Sequence, residues 1–256
     1  PEDNADPETL LRHADQAMYR AKQRGRNCIQ YFDTSAEEEQ RLRKLRHDRL
    51  GEALRKREFV LHFQPQVNMR SGRVVGMEAL IRWQHPEQGL LPPARFLPDI
   101  AGTELETALD QWVIDTALAQ LVECRAHGLD IGVSVNVGAR LLLMPGFVGS
   151  IRSALARHPG IPADKLELEI LESSALDDIV LATEVLHACR RLGVRIALDD
   201  FGTGYASLRH YRQLPVDQLK IDRSFVLDML KDKEARAIVN AVVQLARTFE
   251  REVIAE

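Results

Sequence analysis

The stretch GVRIALDDFGTGYASL, Gly193 to Leu208, is an apolar run that stops abruptly at two adjacent carboxylates. Val194 to Leu198 includes two β-branched residues and reads as a buried strand. Asp199 and Asp200 stand at its carboxyl end, and Gly202 and Gly204 open a loop behind them. Parallel α/β proteins build their sites from groups at strand carboxyl ends. A helix-start cap accounts for the same two residues, because Asp is a favoured N-cap and acids suit a first turn. Recurrence elsewhere in the chain separates the two readings.

The event does recur on both sides. Upstream, VVGMEAL presents Glu78, VSVNV presents Asn136, and LELEILE presents Glu169 and Glu172; downstream, QLKID presents Lys220 and Asp222, and VIAE presents Glu256. Helices are expected at 104–125, 146–157, 179–192 and 234–249, between strands at 131–137, 165–171, 194–200, 216–222 and 252–256. Before them, FVLHFQPQV and VVGMEALIRW are joined by a short turn at Ser71-Gly72, which permits a hairpin and not a parallel crossover. The expected fold is therefore α/β: a modified TIM (β/α) barrel with an antiparallel first strand, truncated one strand short of closing.

The amino-terminal part differs. Residues 8–24 read as a helix capped by Asp6 with Pro7 at its first position, followed by a strand at Cys28–Phe32; together they suggest the tail of a domain cut off upstream. Residues 35–57 are highly charged, with Leu42, Leu45, Leu50 and Leu54 at helical spacing, and read as a linker helix. The chain starts at Pro1 and stops after an apolar run, which suggests a piece of a longer polypeptide and an edge strand without its neighbour.

Composition narrows the function classes. With 45% hydrophobic and 28% charged residues the 256-residue chain is ordinary for a globular protein, and no apolar run is long enough to span a membrane. The net charge of −4 gives no electrostatic footprint for a nucleic acid polymer, so a phosphorylated ligand would call for metal ions or a local basic cluster. Cys28, Cys124 and Cys189 lie far apart, as reduced cytosolic thiols do, and the eight histidines form no ligand pair. Trp83 and Trp112 fit a core better than a stacking platform, and the GTG of FGTGY lacks the third glycine of a dinucleotide fingerprint.

In a barrel the strand-end groups converge on one face, where so many acids need a compensating cation. The set is all oxygen, carboxylates plus one amide, which selects Mg²⁺ or Mn²⁺ over zinc. Five or six ligands exceed what one magnesium takes from protein, so two ions are expected, an arrangement that mostly serves phosphate-ester hydrolysis. Lys220 could orient or deprotonate the attacking water, or neutralise a phosphate. Its plain structural alternative is an ion pair with Asp222 or Asp199.

The motifs EAL (Glu78–Leu80), NV after Val135, ELEILE, DDFGTGYASL, LKIDRSF and VIAE occur in the order of the EAL-domain family, as do FQPQV and RWQHPEQGLLPPARFLP. The chain resembles that family from about residue 40 to its end. The resemblance implies cyclic di-GMP phosphodiesterase activity on a modified TIM barrel. It implies Glu78, Asn136, Glu169 and Asp199 as ligands of one metal, and Asp199, Asp200 and Asp222 as ligands of the second. It further implies Glu256 as a late metal-site glutamate, Lys220 as the water-activating lysine, Gln64 and Arg82 as dinucleotide contacts, and Glu172 as the brace of the loop that begins at Asp200. Lys220, Glu78 and Asp200 are the residues expected to carry the chemical step. Departures are Gly138 and Leu141, where Ser and Gln are usual, and Leu171, where Thr is common.

The opening ADPETLLRHADQAMYRAKQRGRNCIQYF resembles the end of a GGDEF domain without its signature loop. The expected organisation is a GGDEF-like remnant at 1–34, the linker helix at 35–57 and an EAL-like domain at 58–256, incomplete at its C-terminus. A homodimer is expected through the segment Tyr205–Leu214, with Tyr205 and Tyr211 exposed. The expected location is cytoplasmic, within a parent chain that further sensory or membrane-anchoring regions could extend. Two rivals stand beside hydrolysis. One is a catalytically inactive cyclic di-GMP receptor of the same fold; the other, drawn from the acids and strand lysine alone, is enolase-type proton abstraction with one metal.

Overall fold

A computed structural model describes residues 7–23, 25, 29, 34–171, 178–202 and 208–256. Its contacts fall into two compact units, Pro1–Leu50 and Gly51–Glu256. The first contains helix α1 (Pro7–Gln23) and most of helix α2 (Thr34–Arg55), which continues into the second. The strand expected at Cys28–Phe32 lies outside the described residues except for Ile29.

In the second unit strands β1 (Phe59–Val67) and β2 (Val74–His85) form an antiparallel hairpin whose register sets Gln64 opposite Glu78. Asn68 shapes the turn: its Oδ1 accepts from the amides of Arg70 and Ser71, an Asx turn, and Gly72 supplies the left-handed φ of 67°. A short strand β3 (Gly89–Leu91), absent from the sequence expectation, folds back onto β2 before Pro92 and Pro93 end it.

The remainder alternates. Helices α3 (Leu97–Ile100) and α4 (Glu104–Ala126) lead to β4 (Gly132–Asn136), and α5 (Ala139–Leu142) and α6 (Phe147–Arg157) to β5 (Leu166–Leu171). Then follow α7 (Ile179–Arg191), β6 (Arg195–Phe201), α8 (Leu208–Gln213), β7 (Gln218–Ile221), α9 (Arg223–Asp228), α10 (Lys233–Thr248) and β8 (Glu252–Ala255). The sheet runs β1-β2-β4-β5-β6-β7-β8 with β3 beside β2, and every pair from β2–β4 onward is parallel. It is the curled sheet of an open barrel. Acid side chains start several helices: Asp178, Asp222 and Asp232 accept the amides of Leu181, Ser224 and Glu234.

Strand alternation divides the molecule into an apolar and a polar side. In β5, Leu166, Leu168 and Ile170 point outward into a core shared with Leu118, Ile151, Leu186 and Val242 of the covering helices. Fully burying one such side chain contributes about 1.5–3 kcal/mol. Glu167 and Glu169, in between, point into the barrel and are also buried. Trp83 is a core residue, packed among Phe59 and Phe96, with its indole N–H donating to Glu58.

Candidate active site

The sequence GVRIALDDF makes a strand because Val194, Ile196 and Leu198 seat on the helix layer. A regular strand would send Asp199 and Asp200 to opposite faces. The pairing of β6 with β7 avoids this. Leu198 faces Leu219 and Phe201 faces Ile221, so two aspartates stand opposite one lysine, Lys220, in a β-bulge. Asp200 takes the left-handed φ of 53°, and its amide donates to Asp199 Oδ1 at 3.0 Å. Strained backbone of this kind gathers at functional sites.

Lys220 is the centre. Only 1% exposed, its Nζ lies 2.8 Å from Glu169 Oε2, 3.2 Å from both Glu78 Oε2 and Asp199 Oδ1, and 2.5 Å from Glu256 Oε1. Asn136 Nδ2 donates to the other oxygen of Glu78 at 3.0 Å. Four strands thus bring carboxylates to one ammonium, and a fifth adds Asn136 behind Glu78. Burial alone would depress that lysine, but Glu169, Asp199 and Glu78 outweigh it and hold its pKa above the ordinary value.

One cation does not balance this much negative charge. Burial pushes the Glu169 carboxyl up to about 8, opposed by Lys220 and helped by Glu78. Burial, followed by the charges of Asp199 and Asp222, raises Asp200, and burial raises Glu256 against the pull of Lys220. Glu169 Oε1 is buried with no hydrogen-bond partner among the described residues. Asp199, Asp200 and Glu256 also bring carboxylate oxygens within 4.8 Å of one another. An orphaned buried oxygen beside a hard, all-oxygen donor set fits a divalent cation.

The other expected residues divide. Gln64 lines the cavity beside Glu78, in a trough of about 1200 Å³ inside the curled sheet. Arg82 lies on the same face of β2 four residues beyond Glu78, and its Nη1 donates to the Ile81 carbonyl at 2.8 Å. Asp222 does not pair with Lys220: it caps α9 through the amide and hydroxyl of Ser224, and its charge helps to raise the Asp200 carboxyl. The Ser224 hydroxyl, with its own burial opposing, holds Asp222 below the usual carboxylate range. Glu172 and Tyr205 lie outside the described residues.

The expectation that Tyr211 is exposed is corrected, since it is 1% exposed between Phe201 and Phe249. The Arg251 guanidinium lies 4.0 Å from its ring centre. Its neighbourhood of aromatic rings is assembled from three separate segments, which no local pattern announces.

Two groups of residues escaped the sequence reading. Asp110 of α4 accepts the amide of Gly138 at 3.3 Å, directly after the Asn136 strand end; burial, partly opposed by that amide, pushes its carboxyl up to about 7. A Cβ on Gly138 would sit 3.2 Å from Asp110, which accounts locally for glycine there. The second group is a polar layer inside the barrel made by Glu167, Arg195, Gln218 and Glu252. Its signal was available in the alternation of LELEI, which sets Glu167 on the face of Glu169.

Comparison with known proteins agrees with this geometry. The EAL-domain family model matches residues 47–256. The bifunctional diguanylate cyclase/cyclic di-GMP phosphodiesterase MucR of Pseudomonas aeruginosa is 40% identical over 259 residues, covering 100% of this chain and 37% of MucR. The cyclic di-GMP phosphodiesterase PdeR of Escherichia coli is 35% identical over 258 residues, 100% of this chain and 38% of PdeR. This chain therefore spans little more than a third of these relatives. Among solved structures, the MucR phosphodiesterase in complex with c-di-GMP has a TM-score of 0.78 at 40% identity, covering 83% of this chain and 85% of that one. The EAL enzyme Bd1971, bound to cAMP and cyclic di-GMP, has a TM-score of 0.81 at 31% identity, covering 98% and 66%. The chain belongs to the EAL-domain family.

Proposed function

We propose that this chain hydrolyses cyclic di-GMP to linear pGpG. The observation that carries the reading is the ring of Glu78, Glu169, Asp199 and Glu256 around Lys220, with Asp200 beside it on the bulge. Glu78, Asn136, Glu169 and Asp199 would hold one divalent ion, and Asp199, Asp200, Asp222 and Glu256 a second, either Mg²⁺ or Mn²⁺. Such ions, when bound, supply Lewis acidity and an acidified water near neutral pH. The residues of the chain do the rest. Lys220 Nζ, fixed by four carboxylates, orients the attacking water and holds a proton at the centre of the bowl. Gln64 and Arg82, on the inner faces of the hairpin, bind the dinucleotide, the arginine by its fork of donors to a phosphate. Water adds across one of the two phosphodiester bonds and the ring opens.

Residues 58–256 form the catalytic part of this proposal, 35–57 the helix leading into it, and 1–34 the end of a GGDEF-like domain. Glu172 braces the loop after Asp200. A homodimer forms through the segment after Asp200, with Tyr211 serving that segment from within. The setting is cytoplasmic; among the described residues no helix is long and apolar enough to cross a membrane. Incubation with cyclic di-GMP and Mn²⁺, followed by chromatographic identification of the product, tests the activity. Linear pGpG formed by the wild type, absent in excess chelator and in Glu78→Ala, is the expected result. Binding of the dinucleotide without turnover would make the chain a receptor instead.

A further inference from the structure

Beneath the acid layer the barrel repeats its own geometry with different charges. Glu169 of β5 and Lys220 of β7 meet across β6 at 2.8 Å. One layer lower, on the same two strands, Glu167 Oε1 accepts from Gln218 Nε2 at 3.0 Å. Ala197 of β6, paired with both Glu169 and Gln218, is small enough to let these rungs pass over it. Interior layers built from alternate strands are the ordinary packing of a parallel barrel. The lower rung, however, joins a carboxylate to a neutral amide. Its charge is met from below by Arg195, whose Nε lies 3.2 Å from Glu167 Oε2 and whose Nη2 lies 2.5 Å from Glu252 Oε2.

Glu167 is only 7% exposed, so its carboxylate has little water to turn to. A buried charge stripped of its partner is costly and seeks another. Lys220 is the one buried cation among the described residues, and it stands two residues beyond Gln218 on the same inner face. We propose that Arg195 is a positioning residue for Lys220: by holding Glu167 in the lower layer it keeps that carboxylate from drawing the Lys220 ammonium out of the acid ring. The proposal rests on the reading of that ring as the phosphodiesterase site. Arg195 touches no reacting atom and acts only through Glu167.

A double-mutant cycle on the full chain tests this, using wild type, Arg195→Met, Glu167→Gln and the double variant, each saturated with Mn²⁺. Arg195→Met should lower kcat about tenfold or more and change KM less than about threefold, while the double variant should return kcat to within about threefold of wild type, since the competing charge is gone. A double variant as slow as Arg195→Met, or slower, would overturn the proposal, because lost packing adds and does not cancel. If Arg195→Met does not fold, Glu167→Gln alone decides: kcat within about threefold of wild type supports the role, and a loss of about tenfold overturns it. A crystal structure of Arg195→Met supplies a readout without turnover. Lys220 Nζ within hydrogen-bond distance of Glu167 is expected, and an ammonium still seated on Glu169 and Asp199 refutes the idea. A wild type that hydrolyses nothing overturns the activity and leaves Arg195 to be judged by that Nζ position alone.

Discussion

Asp200 is held at a φ of 53°, a left-handed conformation that aspartate tolerates better than most L residues but that only glycine adopts without steric cost. The bulge needs that conformation to turn a second carboxylate toward Lys220, so stability is given up for geometry. Asp200→Gly separates the two: it relieves the backbone and removes a charge that Asp199 and Asp222 already crowd. Its melting temperature should equal or exceed that of the wild type while hydrolysis is lost. A drop of several degrees would mean that the carboxylate is holding the fold. Lys220 works the other way. Lys220→Ala in saturating Mn²⁺ should lower kcat by about 10² or more, the range for a positioned proton-transfer group, with KM little changed. If KM rises steeply while kcat survives, Lys220 anchors phosphate instead. Without metal the same variant should also be markedly less stable, because four carboxylates lose their one buried cation.

At the scale of elements, α4 meets the β4 strand end through Asp110 and Gly138. The Asp110 carboxyl has a folded pKa near 7 against an unfolded value near 4, so the native state binds the extra proton between them. Stability from this group is therefore full at low pH and falls as pH rises through that window. Asp110→Asn keeps an acceptor for the Gly138 amide and cannot ionise. It should melt with the wild type at pH 5 and above it at pH 8; identical melting at both values would show that Asp110 is not buried as a neutral acid. Nothing in the chain's local pattern marks Asp110, which looks like any acid on a helix. By contrast the strands other than β3 were legible, because the apolar run Val194–Leu198, the LELEIL segment and the short turn at Ser71-Gly72 are local properties. The bulge was not: it depends on the register of β6 against β7, a relation between distant segments. The same holds for the cap that Asp222 makes, where a strand-end acid serves the next helix, and for Tyr211, whose burial comes from Phe201 and Phe249.

For the molecule as a whole, the barrel interior inverts the usual plan, with the apolar core outside the sheet and ionisable groups within it. Glu169, Asp200 and Glu256 all have raised folded pKa values, chiefly through burial. Each binds protons in the native state that the unfolded chain has already released, so without metal stability should decline as pH rises from the ordinary carboxylate range, about 4, to about 8. Asp222, whose pKa is lowered, contributes with the opposite sign at lower pH. Lys220, raised above an already high value, keeps its contribution throughout this window. A divalent ion would bind the same carboxylates in ionised form and reverse the penalty, because a ligand selective for the native state stabilises it by about 2.7 kcal/mol at a hundred times its Kd. The expected outcome is a melting temperature that falls between pH 6 and 8.5 in chelator and is higher and falls less steeply in excess Mn²⁺, where the slope from Asp110 remains. Calorimetry over that range decides it. A pH slope unchanged by Mn²⁺ would mean that the carboxylates titrating in this window are not the ones that hold the ion.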